Sequence, residues 1–157
     1  MTHRVCTLAL ALLLCAGCAA FDVQTPRVAL VGVDLEQVGL LESTLLVTLR
    51  VENPNSFRLP IERGIYTFFL EGERVGTGAT RLPLDVPARS SSRQQVAIEL
   101  DHAQLLPRLR SLLDREVDYR IEAEHVVRAF GERSVHSVSE GEVDLRSALR
   151  GSSASLR

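Results

Sequence analysis

His125 and His136 stand at nearly equal distances from Gly131, so a hairpin turning at that glycine makes them neighbours. Two imidazoles can begin a metal site, but zinc takes four ligands and no thiol or carboxylate of suitable spacing joins them. They are expected instead as surface or sheet-edge histidines, with His102 apart from both. Ser90-Ser91-Ser92 has no base and no orienting third group around it, both of which a serine nucleophile requires. Glu71 and Glu73 flank a turn and should be solvated, while Glu122 and Glu124 face arginines on the wet side of a strand. Gly72, Gly76 and Gly78 lack the strand–glycine–helix order of a nucleotide fingerprint and fit turns and bulges. No catalytic residue, metal or cofactor is expected, and the chain reads as non-enzymatic.

The three cysteines all lie within the first eighteen residues. Met1 to Arg4 is cationic, Val5 to Leu14 is apolar apart from Thr7, and Cys15-Ala16-Gly17-Cys18 follows. This is the pattern of a secretory signal, too short for the roughly 20 apolar residues of a membrane span. Ala16-Gly17-Cys18 resembles the lipobox of bacterial lipoproteins, in which the cysteine is acylated and becomes the new N-terminus. Cys15 stands where that pattern usually has leucine. The expected organisation is a lipoprotein signal over 1–17, an acyl acceptor at Cys18, and a tether over 18–27. Cleavage after an Ala-x-Ala-like site, giving an ordinary secreted protein, is the competing expectation. With Ala19 after the acceptor, the resemblance implies an outer-membrane address facing the periplasm, with fatty acids such as palmitate on Cys18. Maturation leaves no thiol for a disulfide or a nucleophile.

Removal of residues 1–17 leaves 140 residues, the size of one domain with a core able to fold without staples. Lysine is absent, and the arginines are scattered without a basic run interleaved with aromatics, which excludes nucleic acid as a partner class.

These features hang on a run of strands. Leu45, Val47, Leu49 and Val51 alternate with mostly polar residues, the period of a half-buried antiparallel strand, and Asn53-Pro54-Asn55 stops it. Val28–Leu35 precedes it as a first strand, with a loop over Glu36–Glu42. Ser56–Pro60 should be extended and irregular. Ile65–Leu70 and Arg74–Arg81 form a hairpin about Gly72, and Leu82–Pro87 an edge segment. Gln94–Leu100 alternates again. Leu105, Leu106, Leu109, Leu112 and Leu113 have the spacing of an amphipathic helix that Asp101 can cap. Glu116–Ala129 alternates with Val117, Tyr119, Ile121, Ala123 and Val127 on one side. Arg133–Ser139 returns as its hairpin partner, Gly141–Leu145 is a last short strand, and 147–157 a flexible tail. The sum is a mainly β domain over 28–146 with one short helix. Tyr66, Phe68 and Leu70 share one strand face, an apolar surface for a partner if nothing covers it.

Taken in order, VALVGVDL, LLVTLRVENPNSFRLPI, IYTFFLEGERVGTG, QQVAIEL and GEVDL resemble the late embryogenesis abundant type 2 family, the water-stress and hypersensitive-response domain. Its mark, Asn-Pro-Asn after the long strand, is here Asn53-Pro54-Asn55. The resemblance implies an immunoglobulin- or fibronectin-III-like antiparallel β-sandwich of about seven strands with one helix. It also implies a non-enzymatic role in desiccation or cold stress, in which the protein protects or binds partly unfolded clients. With Cys18, this gives a lipid-anchored envelope protein whose partners are the membrane and client proteins. The alternative is an adaptor docking one envelope protein through a sheet edge or the Tyr66 face.

Overall fold

The computed structural model describes residues 23–38 and 43–146. Eight strands appear in them, Arg27–Val38 (β1), Ser43–Glu52 (β2), Leu59–Leu70 (β3), Glu73–Thr80 (β4), Leu84–Val86 (β5), Ser91–Leu100 (β6), Glu116–Arg128 (β7) and Glu132–Asp144 (β8). Between β6 and β7 lie His102–Leu105 (α1), a 3-10 turn over Leu106–Arg108, and Leu109–Leu113 (α2). The strands pair antiparallel in the order β1-β2-β6-β4-β3-β7-β8, with β5 added to β3. One mainly antiparallel sheet therefore curls round until β1 and β8, its two ends, lie side by side without a shared ladder.

Alternation decides which side chains line the interior. Val47, Leu49 and Val51 of β2, Val96 and Ile98 of β6, and Ile121, Ala123 and Val127 of β7 are buried in one cluster, and Leu59, Ile61, Tyr66 and Phe68 of β3 join it. Each aliphatic side chain fully buried contributes roughly 1.5–3 kcal/mol, so this cluster is the main source of stability. The helical segment packs Leu112 inward, and Leu105 is half-buried against the core. Asp101 caps α1 as expected, its Oδ1 accepting the Ala103 N–H at 3.0 Å. Pro107 has no amide to give, and the leucine-rich stretch breaks at it into two short helices instead of one.

Four elements differ from the sequence expectation. β1 runs on through Glu36–Val38, expected as loop, because Gln37 and Val38 pair with Thr44 and Ser43 of β2, and residues 39–42 lie outside the described residues. β3 begins at Leu59, because Leu59, Pro60 and Ile61 pair with Val86, Asp85 and Leu84 of β5. β8 is one strand through Gly141, which pairs with Tyr119; a Cβ there would sit 2.9 Å from the tyrosine ring. Residues 23–26, expected as tether, are held to the domain by the bonds to Gln24 described below, and Arg27 is already in β1. Cys18, residues 1–17 and the tail over 147–157 lie outside the described residues.

The two halves of the sheet meet where β4 crosses β6, through only Gly76↔Leu100 and Thr77↔Glu99. A Cβ on Gly78 would run into the Ala97 carbonyl and the Ile98 side chain, and one on Gly76 would lie 2.6 Å from the Glu99 carbonyl oxygen. These glycines allow close approach of two backbones, a role distinct from turn or bulge duty. Gly78→Ala should lower stability by about 1–3 kcal/mol through forced separation of β4 from β6. A urea titration checks it, and an unchanged midpoint would show that the seam gives way without strain.

Candidate functional site

The sheet register places the entry of β1, the end of β2, the start of β3, the start of β6 and the β7–β8 turn at one end of the molecule. Asn53-Pro54-Asn55 sits there, and both asparagines are buried. Pro54 stops the β2 ladder, and the Asn53 side chain folds back to accept the Asn55 N–H at 2.9 Å, an Asx turn. The Asn53 Nδ2 protons are shared among the carbonyls of Phe57 (2.7 Å), Val86 (3.1 Å) and Pro87 (3.2 Å). Its backbone N–H donates to Ser90 O at 2.8 Å. Asn55 Nδ2 donates to Asn53 Oδ1 and to Gln24 O, each at 2.9 Å, and Asn55 Oδ1 accepts the Gln24 N–H at 2.8 Å. Two side chains thus bind together the incoming chain, the segment before β3 and the β5–β6 connection. The motif is a structural clasp.

The β7–β8 turn projects Phe130 from this end. It is 61 % exposed and packs edge-to-face on Phe57 at 5.2 Å. The carboxylates present, Glu52, Glu62, Asp85 and Glu132, are each in an ion pair with an arginine (Arg27, Arg128, Arg58 and Arg63 respectively). Arg50, Arg81, Arg89, Arg93 and Arg133 are exposed and have no ion pair among the described residues. Arg50 and Arg93 are cross-strand partners. At the opposite end Glu71, Glu73, Asp101, Asp114, Glu116, Asp118, Glu140, Glu142 and Asp144 outnumber Arg74, Arg108, Arg110, Arg115, Arg120 and Arg146. Arg115 bonds Glu71 there, and with the Asp118 N–H it holds that carboxyl below the usual range. The domain is basic where the chain enters and acidic at the far end.

The face expected to meet a partner is interior. Tyr66 and Phe68 are buried in the core and Leu70 is half-buried against it, because β3 turns this face toward β2 and β6. Its other side, with Ile65 at 52 % exposure and Phe69 beneath the Arg120 guanidinium at 4.4 Å, faces out. Ile65, Thr67, Glu122, Glu124, His136 and Val138 line a shallow recess of about 230 Å³ on that outer surface.

Sequence reasoning also missed a buried polar chain. His125 lies in the core, whereas His136, paired with Glu124, is exposed on the outer face, so the two imidazoles point apart. Tyr66 Oη donates to Gln94 Oε1 at 2.8 Å and lies 3.1 Å from His125 Nε2, and Gln94 Nε2 donates to Leu82 O at 3.2 Å. With the phenol proton committed to Gln94, the proton of the neutral imidazole is on Nε2. Nδ1 is then a bare acceptor with no partner among the described residues. Burial lowers the His125 pKa to about 4 and raises that of Tyr66. The signal was in the alternation, since position 125 falls in register with Ile121, Ala123 and Val127. Tyr66→Phe strands both Gln94 Oε1 and His125 Nε2–H and should destabilise the fold by about 1–3 kcal/mol, read from the thermal midpoint. A neutral result would place water on both groups.

Elsewhere several groups with chemical potential are committed to structure, while His102 Nδ1 and Ser137 Oγ are buried without a hydrogen-bond partner among the described residues. Ser92 Oγ donates to Asp85 O, Glu124 accepts from Ser134 Oγ, and Glu122 pairs with Arg120. Among the described residues no three histidine, cysteine or acidic side chains are placed to hold a metal ion.

A sequence profile of late embryogenesis abundant proteins matches residues 48–141, from within β2 through the clasp to β8. The chain belongs to the late embryogenesis abundant type 2 family. It is 28 % identical over 107 residues to the desiccation-related protein PCC27-45 of Craterostigma plantagineum, spanning 68 % of this chain and 71 % of that one. The solution structure of AT1g01470 from Arabidopsis thaliana superposes with a TM-score of 0.66 at 22 % identity, over 83 % of this chain and 88 % of the other. That of At2g46140.1, a putative late embryogenesis abundant protein, gives 0.53 at 16 % identity over 94 % and 90 %. Both share the fold of this late embryogenesis abundant domain, and the family and its desiccation-related member connect it with stress.

Proposed function

We propose that this is a non-enzymatic, lipid-anchored envelope protein that protects other envelope components when water is withdrawn. The observation that carries the reading is the match to the family and to a desiccation-related member, over a segment that includes the Asn53 clasp and most of the strands. The anchor is Cys18, acylated and set in the outer membrane with the domain facing the periplasm. We read the curled sheet as a fibronectin-like sandwich whose two faces, β1-β2-β6 and β4-β3-β7-β8, stay joined at the narrow β4–β6 seam. Protection in this reading is a surface property: a domain with most of its apolar side chains inside and a largely charged exterior separates partly unfolded neighbours. Purified full chain added to a freeze-labile enzyme should preserve more activity than an equal mass of an inert protein. Equal preservation would count against it. Labelling cells with an alkynyl fatty acid tests the anchor separately, since a Cys18→Ser chain should lose the label.

An adaptor role is the second reading, supported by Ile65 and Val138, which are 52 % and 61 % exposed beside the outer recess. Photo-crosslinking from position 65 should then capture one dominant protein, whereas a protective role gives many.

A further inference from the structure

We infer that the end of the domain bearing the clasp docks on an anionic lipid surface, with Phe130 entering the headgroup layer and unpaired arginines meeting lipid phosphates. The inference deepens the anchored reading and rests on it for proximity. The docking contacts belong to the folded domain itself.

Three independent observations converge on this end. The first is where the chain enters. Gln24 is fixed to Asn55, and only five residues lie between Cys18 and Gln24. Fully extended they span at most about 17 Å, so an acyl group on Cys18 keeps this end, and no other, against the bilayer. The second is the aromatic tip. Phe130 occupies a turn with φ at 56°, a conformation that L side chains rarely adopt, and stays 61 % exposed although Phe57 packs against its edge. The third is charge. Every carboxylate at this end is already matched by an arginine, while Arg50, Arg81, Arg89, Arg93 and Arg133 have no acid among the described residues. Arg50 and Arg93, directly opposed on β2 and β6, repel one another unless an anion lies between them. The acidic opposite end would be pushed away from the same surface, so attraction and repulsion orient the domain alike. Exposed aromatic and basic side chains together suit the interface, where the ring reaches the acyl boundary and the guanidinium remains with phosphate.

The chain contains no tryptophan, so a single Phe130→Trp substitution supplies a clean reporter. The full chain, purified from membranes and reconstituted, is measured in phosphatidylglycerol vesicles and in phosphatidylcholine vesicles, each with brominated acyl chains. With phosphatidylglycerol the indole emission should move to the blue and be quenched. An Ala103→Trp reporter at the opposite end should stay unquenched. Replacing Arg89 and Arg133 by glutamine should lower the ratio of docked to undocked molecules about fivefold per arginine, and added salt should act in the same direction. Phe57→Trp serves as a second reporter should the first variant lose its fold by circular dichroism.

Water-exposed emission on phosphatidylglycerol overturns the proposal, as does equal quenching on both lipids. A blue shift produced by polyglutamate but not by vesicles also overturns it, in favour of an acidic protein partner. Fatty-acid labelling of the same preparation separates the two readings. A labelled chain without quenching sinks docking and leaves the anchor standing. An unlabelled chain that is quenched keeps docking and sinks the anchor, and an unlabelled, unquenched chain sinks both.

Discussion

Replacing Asn53 by alanine is expected to lower the stability of the domain by about 3–5 kcal/mol. The side chain is fully buried and reaches three carbonyls and two donors of Asn55. Alanine keeps the backbone bond to Ser90 but leaves the Phe57, Val86 and Pro87 carbonyls short of a donor in a space that water enters poorly. Asn53→Asp should be at least as damaging, since it turns a carboxylate oxygen toward those carbonyls. Asn55→Ala should cost less, because Gln24 lies nearer the surface and can recover its bonds from solvent. The two asparagines share a bond, so the double substitution should cost less than the sum of the singles. Urea unfolding with an unchanged slope checks all four variants. Additive losses would show that the asparagines act separately and that the clasp is not one unit.

The second large effect is a loss of stability in acid that depends on one imidazole. His125 is neutral in the folded core with a pKa of about 4, against an ordinary value near 6.5 in the unfolded chain. Between those values the unfolded state binds a proton that the folded state refuses, so stability falls as pH drops. The contribution is intact above about pH 6.5, declines from there toward pH 4, and amounts to about 3 kcal/mol once both states are protonated. The physical cause is desolvation: protonation at Nδ1 places a charge where no described group meets it. His125→Leu should remove this part of the acid limb while keeping the Tyr66–Gln94 bond, at the cost of one partner for the phenol. Unfolding free energies at intervals from pH 4 to 8 check it. Curves for the two chains that run parallel would mean that the imidazole titrates as it does in water.

The same histidine shows how far the fold could be read without coordinates. Alternation located β2, β6 and β7, because each has one apolar face and one wet face, and that period survives whatever surrounds it. It also grouped Tyr66, Phe68 and Leu70 on one face correctly. What alternation cannot supply is which face the rest of the chain covers, and this group proved to be core. His125 was hidden by residue type: an imidazole looks like surface until a tyrosine and a glutamine from distant strands supply its bonds. Pro60 disguised the start of β3, since a proline is tolerated beside the three-residue strand β5 that pairs there. Gly141 divided β8 on paper, whereas in three dimensions it makes room for the Tyr119 ring. The Asn-Pro-Asn tripeptide was recognisable as a stop signal and a family mark. Its bonds to Gln24, Val86 and Pro87, up to 34 residues away, depend on tertiary closure.

The two terminal strands of the sheet carry a further consequence. β1 is interrupted between Leu30 and Gly32 and again between Leu35 and Gln37, and the outward positions of β8 include Glu132, Glu140, Glu142 and Asp144. Irregular or charged borders make poor templates for strand addition by another molecule. As cells dry, solutes concentrate and bordering β-rich proteins are forced together, the condition under which intermolecular cross-β growth is fastest. A molecule whose own rims refuse such growth can be packed densely beside failing neighbours and still separate from them when water returns.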